Sequence, residues 1–268
     1  MQTAPPVLIQ DIISVLEVIA PPHLQESYDN AGLIVGHPQT PVSGILFCLD
    51  STEAIVDEAI NRGCNLVVAH HPIVFRGLKR LNGTNYVERT VMQAIRRDVA
   101  IYAIHTNLDN VHRRGVNAKI AEKLGLENTR ILSPKPGSLP DVGAGLVGDL
   151  PKPMPELEFL QSLKTAFRAA CVRHTALLEK PVQRVAVCGG SGSFLLADAR
   201  RAGADAFVTA DFKYHEFFDA DGHILIADIG HYESEQFTVE LLHDLVREKF
   251  ATFALHCTKL NTNPVFYA

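Results

Sequence analysis

Short apolar runs alternate with amphipathic stretches along most of this chain. Runs bounded by glycine, proline or polar residues are typical of buried strands, and apolar residues spaced three and four apart predict helices. The predicted strands are 32–36, 44–49, 65–69, 99–104, 145–150, 185–188, 206–209 and 224–228. The predicted helices are 8–19, 50–63, 86–97, 116–124, 156–170, 194–201 and 237–249, the second opening on a capping box at 50–53.

Strands that are apolar throughout and alternate with helices are typical of parallel sheets covered on both faces. The alternation occurs twice, and a proline-rich stretch, 134–155, separates the two halves. We therefore predict an α/β fold with two lobes, residues 1–130 and 131–268. Each lobe is expected to hold a mostly parallel sheet covered by helices.

The two halves can be laid over each other in sequence. Cys48 then matches Cys188, and after a shorter loop His105 matches His231. Asp109 falls on Glu235 in the same overlay, so two His-x-x-x-carboxylate units correspond. Short α/β segments also align by chance, so the overlay leaves both duplication and coincidence open.

Composition excludes several classes of protein. The 268 residues carry a net charge of −5, whereas nucleic-acid binding draws on an excess of lysine and arginine. No run approaches the 18 apolar residues of a membrane span, and the first residues lack a secretory signal pattern. The five cysteines form no CxxC pair, which is typical of reduced thiols. We expect a cytoplasmic protein without nucleic-acid or membrane partners.

Histidines follow three of the predicted strands. His70 and His71 come after 65–69, His105 ends 99–104, and His231 follows 224–228. Ligands of open α/β sheets bind at the carboxyl ends of the strands, so these side chains lie on the functional edge. A single strand-end histidine is often structural. An adjacent pair before Pro72, where the chain is expected to turn, is harder to explain that way.

Two carboxylates complete the pattern. Asp109 lies four residues after His105, and Glu235 lies four residues after His231. On a helix such pairs share one face. Imidazole and carboxylate together suit zinc, iron or manganese, and the number of donors predicts two ions. The candidate metal ligands are His70, His71, His105, Asp109, His231 and Glu235.

A glycine-rich segment, 189–193, follows a predicted strand and precedes a helix. Its backbone N–H groups are candidates for cradling a phosphate, although a plain strand-to-helix turn fits the same pattern. The candidate anion-binding residues are Gly190, Ser191, Gly192 and Lys213.

Three further residues are candidates for a pocket. His215 is expected on the functional edge, where it would transfer a proton as a catalytic residue. Asp29 and Asn30 fit either a pocket or a simple turn.

Four motifs together resemble one known family. They are YDNAGLIVG at 28–36, AHHP at 69–72, HTNLD at 105–109 and GHYESE at 230–235. In this order they resemble the NIF-three-like dinuclear-metal family, whose members are also called GTP cyclohydrolase I type 2 homologues. The resemblance implies two similar α/β lobes with a dinuclear metal site between them, and a toroidal homohexamer. It places metal ligands at His70, His71, Asp109, His231 and Glu235, with His105 at the head of the same motif.

The first functional hypothesis is a hydrolase with two divalent metal ions, acting on a nucleotide-like or phosphorylated small molecule. Glu235 is the expected shared carboxylate and catalytic residue, with His215 as proton carrier. A metal-dependent phosphoesterase would use the same parts. The alternative from another class is a hexamer that stores metal or uses it as a scaffold.

Overall fold

The computed structural model describes residues 5–268, which form two compact units. The first unit contains the described residues up to Leu108 together with Thr238–Thr262. The second contains Asp109–Phe237 and Asn263–Ala268. The boundary predicted after residue 130 lies inside the strand Glu127–Pro134. The chain passes from the first unit to the second after Leu108, and Thr238–Thr262 belongs to the first unit again.

The helices and strands alternate along most of the chain, as predicted. The helices are α1 (Ile9–Ile19), α2 (Glu53–Asn61), α3 (Tyr86–Arg96), α4 (Thr106–Asp109), α5 (Val116–Leu124), α6 (Glu156–Phe167), α7 (Leu196–Arg201), α8 (His231–Glu235) and α9 (Thr238–Arg247). The strands are β1 (Gly32–Val35), β2 (Ile45–Cys48), β3 (Leu66–Ala69), β4 (Ala100–Ala103), β5 (Glu127–Pro134), β6 (Gly143–Met154), β7 (Arg173–His174), β8 (Val182–Ser191), β9 (Ala206–Ala210), β10 (Leu225–Asp228) and β11 (Leu255–Cys257).

The first unit is built on a five-stranded sheet in the order β1-β4-β3-β2-β11. Every neighbouring pair is parallel except β1 with β4. All residues of β2, β3 and β4 are buried, which explains their uninterrupted apolar sequences. Thr52 caps α2 by accepting a hydrogen bond from the Ile55 N–H, so this helix begins within the predicted capping segment.

The second unit has a six-stranded sheet in the order β5-β6-β8-β9-β10-β7. The β8, β9 and β10 strands are parallel. On either side, β6 and β7 pair antiparallel to this centre, and β5 pairs antiparallel to β6. The predicted α/β fold is therefore confirmed, but this sheet, expected to be mostly parallel, is parallel only at its centre. The β5 and β7 strands were not predicted, because most of their residues are exposed or partly exposed and no apolar run marks them.

The parallel centre of each sheet has the same pairing of equivalent residues. Ile45 of β2 pairs with Leu66 of β3, and Val185 of β8 pairs with Ala206 of β9. Ile45 is separated from Val185, and Leu66 from Ala206, by the same number of residues as Cys48 from Cys188. The repeated pattern in the sequence thus corresponds to a repeated strand–helix–strand arrangement.

Two expectations from composition can be compared with the described residues. None of their helices combines the length and the apolar character that a bilayer crossing requires. All five cysteines are free thiols. Burial raises the pKa of Cys48 and of Cys188, so both thiols stay protonated at neutral pH and behave as core residues.

Candidate metal centre

The first unit brings three predicted ligands together at the carboxyl ends of β3 and β4. The ring centroids of His70 and His71 are 4.9 Å apart, and that of His105 lies 5.2 Å and 5.3 Å from them. Each ring offers one nitrogen, and these nitrogens lie within 4.8 Å of one another. The chain turns after β3, which places two consecutive side chains in the same cluster.

Each of these imidazoles is oriented through its Nδ1 atom. Nδ1 of His70 is 2.9 Å from the Ile104 carbonyl oxygen, and Nδ1 of His71 is 2.7 Å from Oδ1 of Asp50. Nδ1 of His105 is 2.8 Å from Oδ1 of Asp29. Carbonyl and carboxylate oxygens only accept hydrogen bonds, so each Nδ1 carries the proton. Nε2 is then the nitrogen that can bind a metal ion.

The two orienting carboxylates of the first unit are themselves held. Oδ2 of Asp29 accepts hydrogen bonds from the backbone N–H and the hydroxyl of Thr106. Burial alone would raise the pKa of Asp29, but its hydrogen bonds and the charge of His105 lower it to about 2. Oδ2 of Asp50 accepts a hydrogen bond from the Thr262 hydroxyl, at 2.6 Å. Asp29 therefore orients His105.

The second unit presents a histidine and a buried carboxylate on α8. Nδ1 of His231 is 2.7 Å from Oδ2 of Asp211, and its Nε2 is 3.1 Å from Oε2 of Glu235. The four-residue spacing does place both side chains on one helix face, as predicted. Burial alone would lower the pKa of His231, but Glu235 and Asp211 raise it to about 11. Surroundings that favour a proton on this ring also favour a metal cation.

Asp109 belongs to the same end of the second unit as Glu235. Burial raises the pKa of the Cys188 thiol in β8, and the nearby charges of Asp109 and Glu235 raise it further. The backbone carbonyl of Asp109 accepts a hydrogen bond from the Asn117 side-chain amide at 3.0 Å. The side-chain oxygen of Asn117 in turn accepts from the Gly189 N–H at 3.0 Å, which ties Asp109 to the sheet.

The glycine-rich segment packs against the carboxylate of α8. The N–H of Gly190 donates to Oγ of Ser234 at 2.9 Å, and its carbonyl accepts from the Thr209 hydroxyl at 3.1 Å. A Cβ on Gly190 would lie 2.5 Å from Oε1 of Glu235. The backbone N–H groups of Gly189 and Gly190 already donate within the protein. A phosphate would therefore have to be bound by the backbone N–H groups of residues 191–193. The anion-binding roles of Gly190, Ser191 and Gly192 stay predictions.

His215 and Lys213 lie on the surface of the second unit. The ring of His215, in the 3₁₀ helix Tyr214–Ala220, packs against Tyr214 at 5.1 Å between centroids. Nζ of Lys213 is 3.8 Å from Oε1 of Glu216. No hydrogen bond, ion pair or ring contact in the described residues joins either side chain to the metal-ligand candidates of α8. Their catalytic and anion-binding roles also stay predictions.

Sequence reasoning missed three acidic residues that support the candidate ligands. Asp50 lies two residues after β2, Asp211 comes directly after β9, and Asp228 ends β10. Asp228 accepts hydrogen bonds from the Phe212 and Gly230 N–H groups, at 3.0 Å and 3.1 Å, and so joins the loops that carry Asp211 and His231. An acidic residue shortly after a buried strand was the feature of the sequence that could have indicated this role. Asp50 was instead assigned to a helix cap.

The donor set fits a metal ion. Imidazole nitrogens with oriented Nδ1 atoms and buried carboxylate oxygens are the ligands that zinc, iron and manganese accept in proteins. The first unit supplies three histidines, and the second unit supplies one histidine with two carboxylates.

Comparison with known proteins identifies the family. A sequence model described as DUF34/NIF3 (NGG1p interacting factor 3) matches residues 7–264. The chain belongs to the DUF34/NIF3 family. This finding confirms the resemblance found in the four motifs.

Similar proteins include two relatives that carry the name GTP cyclohydrolase 1 type 2 homolog. The relative from Clostridium perfringens is 33% identical over 242 residues, covering 90% of this chain and 92% of the relative. The relative from Streptomyces coelicolor is 33% identical over 266 residues, covering 96% and 93%. The DUF34/NIF3 chain therefore matches these relatives over nearly their whole length.

Solved structures share the fold of this DUF34/NIF3 chain. A Bacillus cereus protein related to NIF3 has a TM-score of 0.90 at 26% identity, covering 99% of this chain and 100% of that chain. A Staphylococcus aureus hypothetical protein has a TM-score of 0.92 at 28% identity, covering 98% and 100%. The α/β architecture with two sheets is thus common to these proteins.

Proposed function

We propose that this DUF34/NIF3 protein is a metal-dependent hydrolase with two divalent ions per chain, acting on a nucleotide-like or phosphorylated small molecule. The observation that carries the proposal is the orientation of four imidazoles by acceptors at Nδ1, a pattern typical of metal-binding histidines. The ions would be zinc, iron or manganese. The residues proposed to hold them are His70, His71, His105, Asp109, His231 and Glu235.

The six proposed donors include two His-x-x-x-carboxylate pairs, His105 with Asp109 and His231 with Glu235. His105 and Asp109 are four residues apart, although the chain passes from one unit to the other between them. Six donors exceed the needs of a single four-coordinate ion. Two ions sharing the six donors would keep positions for water and substrate, which favours catalysis over a purely structural role.

Bound divalent ions would lower the pKa of water and polarise the substrate. The protein's own side chains have separate tasks. Asp29, Asp50 and Asp211 keep the proton on Nδ1 of their histidines and fix the planes of the rings. We assign His215 as the proton carrier and Lys213 as an anion contact, both on the exposed edge of the second unit.

The name of the relatives directs the choice of substrate. Because those relatives are called GTP cyclohydrolase 1 type 2 homologs, we propose GTP as the first substrate to test, followed by phosphoesters. We also propose a cytoplasmic homohexamer. Light scattering in solution should then give about six times the chain mass of 29.4 kDa.

Metal content per chain, measured by elemental mass spectrometry, tests the proposal directly. We expect two ions per chain and loss of metal and hydrolysis in Glu235→Gln. Glu233→Gln is the matched control, since Glu233 is buried on the same helix and bonds Asn263 instead. Full metal content in Glu235→Gln would refute the site. Full metal content without turnover of any substrate would favour metal storage or a scaffold.

A further inference from the structure

The second unit contains a cavity that is separate from the proposed metal ligands. It has a volume of about 700 Å³ and lies between the edge strand β7 and the 3₁₀ helix Tyr214–Ala220. Cavities of roughly 300–1,000 Å³ are typical of small-molecule sites. Its lining includes Arg173, Thr175, Leu178, Tyr214, Phe217 and Phe218. We call it the aromatic cavity.

Three aromatic rings shape the wall of the aromatic cavity. Tyr214 is 73% exposed and Phe218 is 68% exposed, and their ring centroids lie 5.6 Å apart at a steep angle. Phe217 is half-buried, and its ring is braced by Phe212, with 5.3 Å between centroids. Exposed ring faces on a rigid wall favour a planar aromatic ligand. Such a ligand removes the rings from water and forms stacked or edge-to-face contacts with them.

Arg173 places a fixed positive charge on the same cavity. Its Nη2 donates to the Phe212 carbonyl oxygen at 3.0 Å and to the buried carboxylate of Asp228. Its guanidinium carbon lies 5.4 Å from the centroid of the Phe217 ring. The side chain is still 54% exposed, and its Nε and Nη1 form no hydrogen bond with any described residue. The guanidinium is therefore held in place while two of its nitrogens can donate to a ligand.

Two aspartates lie near Arg173, and each of them already has other partners. Asp228 already accepts hydrogen bonds from the Phe212 and Gly230 N–H groups, so its negative charge is shared among three donors. Asp221, also in the lining, lies 3.6 Å from Nε2 of His223. A guanidinium edge binds carboxylate, sulfonate or phosphate oxygens with two parallel hydrogen bonds.

We propose that the aromatic cavity binds a small planar aromatic molecule that carries a negatively charged group. The ring lies against Tyr214, Phe217 and Phe218, and the anionic group is bound by Nε and Nη1 of Arg173. The site is distinct from the metal ligands and does not depend on the proposed hydrolase function. Its natural occupant would be an aromatic or heteroaromatic acid, or a phosphorylated ring compound.

Naphthalene-2-sulfonate is a suitable probe, because the chain has no tryptophan to mask naphthalene fluorescence. Titration of the full chain should show one site, and Phe218→Ala should weaken binding about tenfold through lost ring contact. Phe194→Ala is the matched control, since Phe194 is 66% exposed and lies outside the cavity lining. Equal weakening by both variants would overturn the proposal.

Charge recognition is tested in the same titration. Arg173→Gln should weaken the probe at least tenfold, and Arg184→Gln should not, although Arg184 is also a half-exposed arginine paired with an aspartate. Uncharged 2-naphthamide should bind more weakly than the sulfonate to the unmodified protein. Equal affinity for the two compounds would show that Arg173 does not bind the anionic group, and would contradict the proposal.

Two further outcomes would overturn the proposal. If a chelator abolishes binding of the probe, the probe occupies the metal centre and not the aromatic cavity. If Phe218→Ala lowers the mass of the particle in light scattering and leaves probe affinity unchanged, the exposed rings form an interface between copies of the chain. Unchanged affinity in the presence of the chelator and an unchanged particle mass in Phe218→Ala are the results we expect.

Discussion

Replacing Gly190 by alanine separates backbone strain from interference with the proposed metal centre. Gly190 has φ of +60°, a left-handed conformation that costs an alanine about 1–2 kcal/mol. Its new Cβ would lie 2.5 Å from Oε1 of Glu235 and 3.2 Å from Cε1 of His231. Ordinary contacts begin at 3.4 Å, so the carboxylate must withdraw by nearly 1 Å. The atom that moves is the end of a flexible side chain, and the backbone can stay in place.

The two effects should appear in different measurements. Denaturant unfolding of the metal-free protein should show a loss of about 1–2 kcal/mol, from the left-handed backbone alone. Metal affinity, measured by competition with a chromophoric chelator, should fall at least tenfold. A shift near 1 Å exceeds the tolerance of roughly 0.5 Å within which a binding site keeps its geometry.

Gly125→Ala is the matched control for this experiment. Gly125 lies in the same unit with φ of +65°, and a Cβ there meets nothing within 4 Å. We expect a similar loss of stability and unchanged metal affinity. Wild-type metal affinity in Gly190→Ala would refute the argument from steric overlap. Equal loss of metal in both variants would show that destabilisation alone weakens binding.

Three further substitutions test other parts of the structure. Asp50→Ala should lower metal affinity roughly 10–100-fold, because the Nδ1 proton of His71 loses its acceptor; unchanged affinity in calorimetric titration would contradict this role. Thr52→Ala should reduce the free energy of unfolding by about 0.5–2 kcal/mol by removing the cap of α2, with metal content unchanged by elemental analysis. Phe159→Ala should cost about 3–5 kcal/mol in denaturant unfolding, since this ring is fully buried, and a cost below about 1 kcal/mol would show that the core refills the space.

The strands that position the candidate site were predictable because they are buried on both sides. The sequences of β2 and β3 are apolar throughout, and those of β9 and β10 are apolar except for Thr209 and Asp228. Edge strands do not carry such a signal. The strand Glu127–Pro134 has only two large apolar residues, Ile131 and Leu132, and its pairing with β6 supplies the strand conformation.

The histidines at the strand ends were predictable for the same reason. A residue that directly follows a buried parallel strand must lie at the carboxyl edge of the sheet. The partners of their Nδ1 atoms were not predictable. Asp50 and Asp211 also follow buried strands, but a turn, a cap and a ligand contact are all compatible with an isolated aspartate.

The amino-acid sequence by itself determined the alternation of strands and helices, the edge on which the histidines lie and the family. These follow from local periodicity and short motifs. Only the tertiary structure decided which carboxylate orients which imidazole, because the pairs are distant along the chain: His71 with Asp50 across 21 residues, and His105 with Asp29 across 76. Strand order and register bring such residues into contact, and local sequence patterns do not specify either.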